Sequence, residues 1–180
     1  MRFEDVLNNG KLWAAVYDGE DENALMKVFR GWMNPMYLNL FFSRHLVDLE
    51  KYFHITDIDA AIYDTVADAA SLSCLILDID PSANLDELFR PLENSRIREM
   101  VLSREKAKGK RVSGHSSWLR IYAIKLAPSI YLITGGAIKL TPTMAEREHT
   151  LLELRRMELV RNYLMENGVF DADGIKDLIS

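Results

Sequence analysis

Residues 118–139 read WLRIYAIKLAPSIYLITGGAIK, and this stretch decides the fold. Two runs rich in Ile, Leu, Tyr and Thr lie on either side of Ala127-Pro128-Ser129, which contains turn-forming residues. In the first run, apolar positions 119, 121 and 123 alternate with Arg120 and Tyr122, the period of two that is typical of a β-strand. The stretch therefore predicts two antiparallel strands joined by a tight turn.

The N-terminus predicts another hairpin, because Asn8-Asn9-Gly10 separates the run Phe3 to Leu7 from the run Lys11 to Tyr17. Asn and Gly tolerate the positive φ values that tight hairpin turns require. The second run is almost continuously apolar, which suits a strand that is buried on both faces.

Helices are predicted between these two strand regions and after them, from capping residues, proline breaks and apolar periodicity. Their predicted extents are 22–33, 35–52, 57–77, 85–89 and 146–167, with Gly168 closing the last helix. A further strand is predicted near Glu99 to Arg104, and the Gly- and Ser-containing stretch from Lys106 to Ser117 predicts a mobile loop.

These elements predict an α+β protein: an antiparallel sheet with N-terminal helices packed on it and a C-terminal helix. The length of 180 residues fits one domain. We expect a single domain over 1–180, with a helical region at 18–92, core antiparallel strands at 93–142, and the C-terminal helix and tail at 143–180.

The composition predicts a cytoplasmic protein without metal, cofactor or membrane contact. No uninterrupted apolar run approaches the roughly 18 residues of a membrane span. The four His residues lack metal-ligand spacing, and no Gly-rich loop precedes a helix in the way that phosphate-cradling motifs do. Cys74, the only cysteine, lies in an apolar run, which predicts a buried and unreactive thiol.

Charge is segregated along the chain. Residues 96–139 contain ten Lys or Arg residues and two acids, although the whole protein has a formal net charge of −5. Segregation of this degree predicts a local positive field on a protein that otherwise repels polyanions. A solvated run of charge without function is the alternative.

The basic segment resembles the end of RelE/HigB-like toxins, including the phage-derived branch of that superfamily. The resemblance is carried by Trp118-Leu119-Arg120-Ile121-Tyr122 and by the run from Ile130 to Pro142, which ends in Gly135-Gly136-Ala137-Ile138-Lys139-Leu140-Thr141-Pro142. Leu85 to Leu92 looks like the family segment before the first central strand, and Lys11 to Tyr17 like its first strand. The match is detailed over residues 84–150 and elsewhere holds only in element order.

The resemblance implies a RelE-like antiparallel sheet and metal-independent RNA cleavage, in which a ribose 2′-OH attacks the adjacent phosphodiester. It also implies RNA or the ribosome as a target and an antitoxin protein as a partner. The chain departs from the family in three respects: Leu140 stands where the family usually has a second Lys, the helical region 22–80 is longer, and the net charge is acidic.

Four residues are candidates for catalysis. Arg120 would stabilise phosphate, since it emerges from one face of a central strand; pairing with an acid of the helical region is the alternative. Lys139 matches the family Lys by position, with a surface salt bridge as the alternative. His115 could act as acid or base, or be an ordinary loop residue. Tyr122 could stack a base on the face that carries Arg120, or pack in the core.

Five further cations are predicted to position a nucleic-acid backbone without reading its sequence. They are Arg104, Lys106, Lys108, Lys110 and Arg111. The alternative function is a non-catalytic protein-interaction module on the same fold, which the acidic net charge and Leu140 favour.

Overall fold

The computed structural model describes residues 1–92, 102–108 and 114–179, and these form an α+β fold around one six-stranded sheet. The strands are β1 (Arg2–Asp5), β2 (Leu12–Val16), β3 (Phe89–Pro91), β4 (Arg104–Lys108), β5 (Leu119–Ala127) and β6 (Ile130–Ile138). Their order across the sheet is β1-β2-β6-β5-β4-β3. The predicted fold class is confirmed at this level.

Four helices lie between β2 and β3, and two follow β6. They are α1 (Ala24–Trp32), α2 (Pro35–Arg44), α3 (Leu46–Phe53), α4 (Ile58–Leu77), α5 (Glu148–Glu166) and α6 (Ala172–Ile179). Asn23, Asn34 and Asp57 each accept backbone N–H bonds at a helix start. The single helix predicted over 35–52 is two helices, because the backbone leaves the helical conformation at His45.

The strands β5 and β6 form the predicted antiparallel pair, with Leu119 opposite Ile138 and Ala127 opposite Ile130. Pro128 and Ser129 make the turn, and Ser129 has a φ of 59°. The register shifts by one residue between Tyr122 and Ala123, so that β6 carries a bulge there. The predicted N-terminal hairpin of β1 and β2 is also confirmed.

The sheet is mixed, which corrects the prediction of an antiparallel one. Residues 12–14 of β2 pair in parallel with residues 131–133 of β6. The described residues between these neighbours include four α-helices and three strands, and parallel pairing requires such a long crossover. The alternation within a strand predicts which side chains share a face, but it does not predict which strand lies beside it.

Helices cover both faces of the sheet. On one face, Leu119, Ile121 and Ala123 pack with the cluster of α1–α4. On the other face, Tyr122 and Ile124 pack with the cluster of α5 and α6. The alternation in β5 therefore separates two cores, and Arg120 projects from the same face as Tyr122.

Two predictions in the basic segment and one in α4 are wrong in the described residues. Lys106 and Lys108 belong to strand β4 rather than to a loop, and that strand begins at Arg104, where the predicted strand ended. Residues 99–101 of the predicted strand lie outside the described residues. Cys74 is exposed rather than buried, because α4 turns Leu72 and Ile76 inward.

By length and composition alone, α4 would be sufficient to cross a membrane, as many core helices of soluble proteins would be. It packs here against α1, α2 and β5. Thr65 and Asp68 are buried on its inner face, where Thr65 accepts from the Trp118 indole and Asp68 lies close enough to Arg120 to favour its charged form.

Candidate functional site

A cleft of about 340 Å³ opens at the end of the sheet where β5 begins and β6 has ended. We call it the cationic cleft. Its lining residues come from the end of α3, the segment before β5, β5 itself and the segment after β6: Tyr52, Phe53, His115, Ser116, Arg120, Lys139, Leu140, Thr141 and Pro142. It thus contains three of the four candidate catalytic residues.

Arg120 lies on β5 opposite Ala137. Its Nη1 donates to the carbonyl oxygens of Ser117, at 2.8 Å, and Leu119, at 2.7 Å. No carboxylate of the described residues lies within ion-pair distance of it, although buried Asp68 is close enough to favour its charged form. Burial removes part of the hydration of the guanidinium, and this lowers the pKa of Arg120.

Lys139 follows β6 and turns its ammonium group back onto the chain. Nζ donates to the carbonyl oxygens of Thr141, at 2.7 Å, and Pro142, at 2.5 Å. The surface salt bridge that was the alternative is not formed with any described residue. Burial, then Arg120 and Lys106, lower the pKa of Lys139.

Four cations converge on this side of the sheet: Lys106, Lys108, Arg120 and Lys139. We call them the cationic cluster. On β4, Lys106 lies opposite Tyr122 and Lys108 lies opposite Arg120, so that the alternation of β4 places both on the face of Arg120. Burial, followed by the charge of Arg120, lowers the pKa of both lysines. Each positive charge opposes its neighbours, and a bound anion would relieve that repulsion.

Of the three remaining predicted cations, one lies on β4 and two lie outside the described residues. Arg104 projects from the same face of β4 but lies opposite Ile124, two pairs beyond Lys106 and further from the cleft. Lys110 and Arg111 lie outside the described residues. The Nζ of Lys106 also donates to the carbonyl oxygen of Leu92, at 3.0 Å. This hydrogen bond holds the Lys106 ammonium group beside the residue that follows β3.

His115 is held in the wall of the cationic cleft. Its ring stacks on Trp118 with centroids 4.1 Å apart and planes 13° apart, and Phe53 meets it edge-on. Nε2 lies 3.3 Å from a carboxylate oxygen of Asp64 on α4, and Nδ1 lies 2.9 Å from the carbonyl oxygen of Ser116. The ring is therefore oriented at its face and at both nitrogens.

Tyr122 is fully buried, and its hydroxyl has no hydrogen-bond partner among the described residues. Burial raises the pKa of this phenol, so that it stays neutral. A side chain without exposed surface cannot stack on a nucleobase unless the fold opens, and core packing, the alternative to stacking, describes its environment.

Sequence reasoning missed the contribution of α4 to this site. Asp64 contacts His115, Thr65 accepts a 3.0 Å hydrogen bond from the indole of Trp118, and Asp68 lies near Arg120. The signal was present: Thr65 and Asp68 interrupt the inner face of an otherwise apolar helix, where polar residues need a partner.

A second cleft, of about 470 Å³, lies between α1 and α5 beside β6. We call it the glutamate cleft. Beyond residue 133, β6 has no described strand on the side of β2. Side chains meet this edge instead: the Tyr17 hydroxyl donates to the carbonyl of Thr134, at 2.6 Å, and Nε2 of His149 lies 2.9 Å from the carbonyl oxygen of Ile138.

Glu153 of α5 is the buried carboxylate of the glutamate cleft, with 3% of its surface exposed. One carboxylate oxygen accepts from Arg156, at 2.7 Å, and the other has no partner by hydrogen-bond geometry among the described residues. Burial raises the pKa of Glu153 to about 7, against the opposing effects of Arg156 and the Gly136 amide. No motif marked this residue in the sequence.

Comparisons with known proteins return nothing: no family model, no curated protein and no solved structure matches the chain. In the described part of the chain, no group of three or more His, Cys, Asp or Glu side chains could hold a metal ion. The resemblance to RelE/HigB-like toxins thus stays a prediction from the residues that carry it.

Proposed function

We propose that the cationic cleft binds the phosphodiester backbone of RNA and cleaves it without a metal ion. The observation that carries the proposal is that His115, Arg120 and Lys139 line one cleft although they come from three separate segments. A proton-transferring ring beside two cations is the set of groups that phosphodiester transfer requires. The cationic cluster extends this charge over β4.

The proposed chemistry is an internal transfer. The ribose 2′-oxygen attacks phosphorus and gives its proton to water, the bond from phosphorus to the 5′-oxygen breaks, and the products are a 2′,3′-cyclic phosphate and a 5′-hydroxyl. Arg120 and Lys139 stabilise the charge on the non-bridging oxygens. His115 supplies the proton that the leaving 5′-oxygen needs.

The finer fold assignment belongs to the same proposal. We infer a RelE-like sheet whose central hairpin, β5 and β6, carries Arg120 and is followed by Lys139 and a helix, the order that the resemblance implies. In this proposal the protein is a cytoplasmic toxin-type component, RNA or the ribosome is its target, and an antitoxin is its partner. The hairpin with these two cations supports the proposal.

Salt-dependent RNA binding tests the first half of the proposal. We expect affinity for single-stranded RNA to fall with added salt, with a log–log slope of about −0.7 for each phosphate contacted. Lys139→Ala should make the slope shallower by one contact, whereas Lys176→Ala, an exposed lysine on α6, should not change it. RNA binding with equal loss in both variants would count against the cleft.

Product analysis tests the second half. Wild-type protein should release 2′,3′-cyclic phosphate ends with a metal chelator present, and His115→Ala should not. Expression of the wild-type protein should slow growth. Binding without any cleavage would leave RNA binding standing and remove the nuclease.

One observation favours a second function, a non-catalytic interaction module. Arg120 and Lys139 each donate to two backbone carbonyls, so that both also brace the segments around the cleft. In that case the cleft would bind an acidic protein segment, and Lys139→Ala would weaken capture of that partner while no RNA cleavage occurs in either protein.

A further inference from the structure

The α4 helix holds His115 from two directions, and this arrangement has a chemical consequence. Asp64 meets the ring at Nε2, 3.3 Å away. Thr65, the next residue, accepts the indole N–H of Trp118 and donates to the Ala61 carbonyl, at 2.7 Å, which fixes the platform on which His115 stacks. One turn of α4 therefore sets both the edge and the face of the ring.

Both hydrogen-bond neighbours of the ring in the described part of the chain are acceptors. A carboxylate oxygen faces Nε2, and the Ser116 carbonyl oxygen faces Nδ1. A carbonyl or carboxylate oxygen cannot donate, so the two contacts form together only when both ring nitrogens carry protons. Arg120 lines the same cleft and repels a second cation, and the Asp64 carboxylate is the group placed to offset that repulsion.

The two nitrogens also differ in access. The contact at Nε2 is partly buried against α4, whereas the contact at Nδ1 is exposed and is made to a residue that lines the cleft. A substrate oxygen can therefore replace the Ser116 carbonyl at Nδ1 while Asp64 keeps Nε2.

We propose that Asp64 is a positioning residue that holds His115 as the proton donor of the cationic cleft, with Nδ1 as the atom that protonates the leaving oxygen. The inference rests on the proposed function for its chemistry, but the state of the ring is a property of the protein alone. It gives His115 the role of acid, which the sequence left undecided between acid and base.

Nitrogen-15 NMR of the ring tests the arrangement without any substrate, with the His115 signals assigned by their loss in His115→Gln. In the wild-type protein, both His115 nitrogens should show the protonated signature at the pH of the cleavage assay. Asp64→Asn should remove the proton from one nitrogen, and Asp59→Asn, an exposed residue on the same helix, should leave both unchanged. A singly protonated ring in the wild-type protein would overturn the proposal.

Two substrates test the role of the donor. Cleavage of an RNA dinucleotide should fall about 100-fold or more in His115→Ala and about tenfold in Asp64→Asn. Cleavage of uridine 3′-(p-nitrophenyl phosphate), whose leaving group needs no proton, should change less than about twofold in Asp64→Asn, since no acid is required. Equal loss on both substrates would overturn the donor role. If neither substrate is cleaved by the wild-type protein, the proposed function fails, and the ring nitrogens still decide whether Asp64 positions His115.

Discussion

The two clefts lie next to each other along one strand, and their partly buried charges have opposite signs: cations in the cationic cleft and the Glu153 carboxylate in the glutamate cleft. The glutamate cleft reaches residues 135–138 of β6, and the cationic cleft begins at Lys139. In both, burial disfavours the charged form: it lowers the pKa of Arg120 and Lys139 and raises the pKa of Glu153. In the first cleft several like charges face an open surface, so that a bound anion can relieve them. In the second, the buried Glu153 carboxylate has one oxygen paired with Arg156 and the other pressed against backbone, so that binding a proton stabilises it.

The largest effect should come from removing the charge of Arg120 while its length is kept. We expect Arg120→Met to slow RNA cleavage about 100-fold to 1,000-fold, because an oriented cation at the transition-state oxygens is lost. The free energy of unfolding should fall by less than the barrier to cleavage rises, because burial opposes this charge in the folded protein and offsets part of the loss of its two backbone hydrogen bonds. Cleavage assays and urea unfolding on the same sample measure both.

The matched control is Arg155→Met, which removes an exposed arginine of α5 outside both clefts. It should leave cleavage within about threefold of the wild-type rate. If Arg120→Met cleaved RNA at that rate, Arg120 would not be needed for cleavage, and the cationic cleft would no longer differ from the glutamate cleft in function.

The second effect concerns the glutamate cleft and pH. The pKa of Glu153 is about 7 in the folded protein against an ordinary value of 4.5, so the folded protein holds this proton more tightly than the unfolded chain. The wild-type protein should therefore lose about 3 kcal/mol of stability from this group as pH rises from about 4.5 to about 7. Glu153→Gln, which does not titrate, should not show that loss.

Unfolding by urea across this pH range, with wild type and Glu153→Gln in parallel, measures the difference. Glu166→Gln, an exposed position near the end of the same helix, is the control and should keep the wild-type pH profile. A Glu153→Gln profile parallel to that of the wild type would show that Glu153 titrates at its ordinary pH.

The contrast also explains what the sequence could predict. Strand alternation placed Arg120 and Tyr122 on one face, and that is where they lie. The cations were visible as a run of charge, so the components of the cationic cleft could be named in advance. Their convergence could not, because it depends on the pairing of β4 with β5 and on how the chain turns after β6.

The glutamate cleft could not be predicted from its residues. Glu153 stands in a helix rich in charged residues, where most face water, and only the packing of α5 on β6 buries it. The parallel pairing of β2 with β6 leaves residues 134–138 without a strand neighbour on that side among the described residues, and this opens the cleft. The strand pattern of residues 130–139 gives Gly135 and Gly136 no special role, although the first of them makes room for the carboxylate.

The third effect tests whether the Glu153 carboxylate needs the space beside Gly135. A Cβ at Gly135 would lie 2.0 Å from the unpartnered oxygen of Glu153, so Gly135→Ala must displace the carboxylate. We expect a loss of about 1–3 kcal/mol in the free energy of unfolding. Gly114→Ala, where no atom of the described residues lies within 4 Å of the added methyl, should cost much less.

A double-mutant cycle shows whether Glu153 is the cause. In a Glu153→Ala background the obstacle is gone, and Gly135→Ala should cost less than about 1 kcal/mol. An unchanged cost would mean that the glycine is required by the bulged backbone of β6 and not by the carboxylate.

The smallest effect returns to the cationic cleft and to α4. Thr65→Val keeps the shape of the side chain but removes the acceptor of the buried Trp118 indole, at a cost of about 1 kcal/mol in urea unfolding. Thr56→Val, at an exposed position before the same helix, should change stability by less than about 0.5 kcal/mol. Because Trp118 carries the His115 ring, Thr65→Val should also slow RNA cleavage modestly, whereas Gly135→Ala should not. A loss of cleavage in Gly135→Ala at retained folding would show that the two clefts act together.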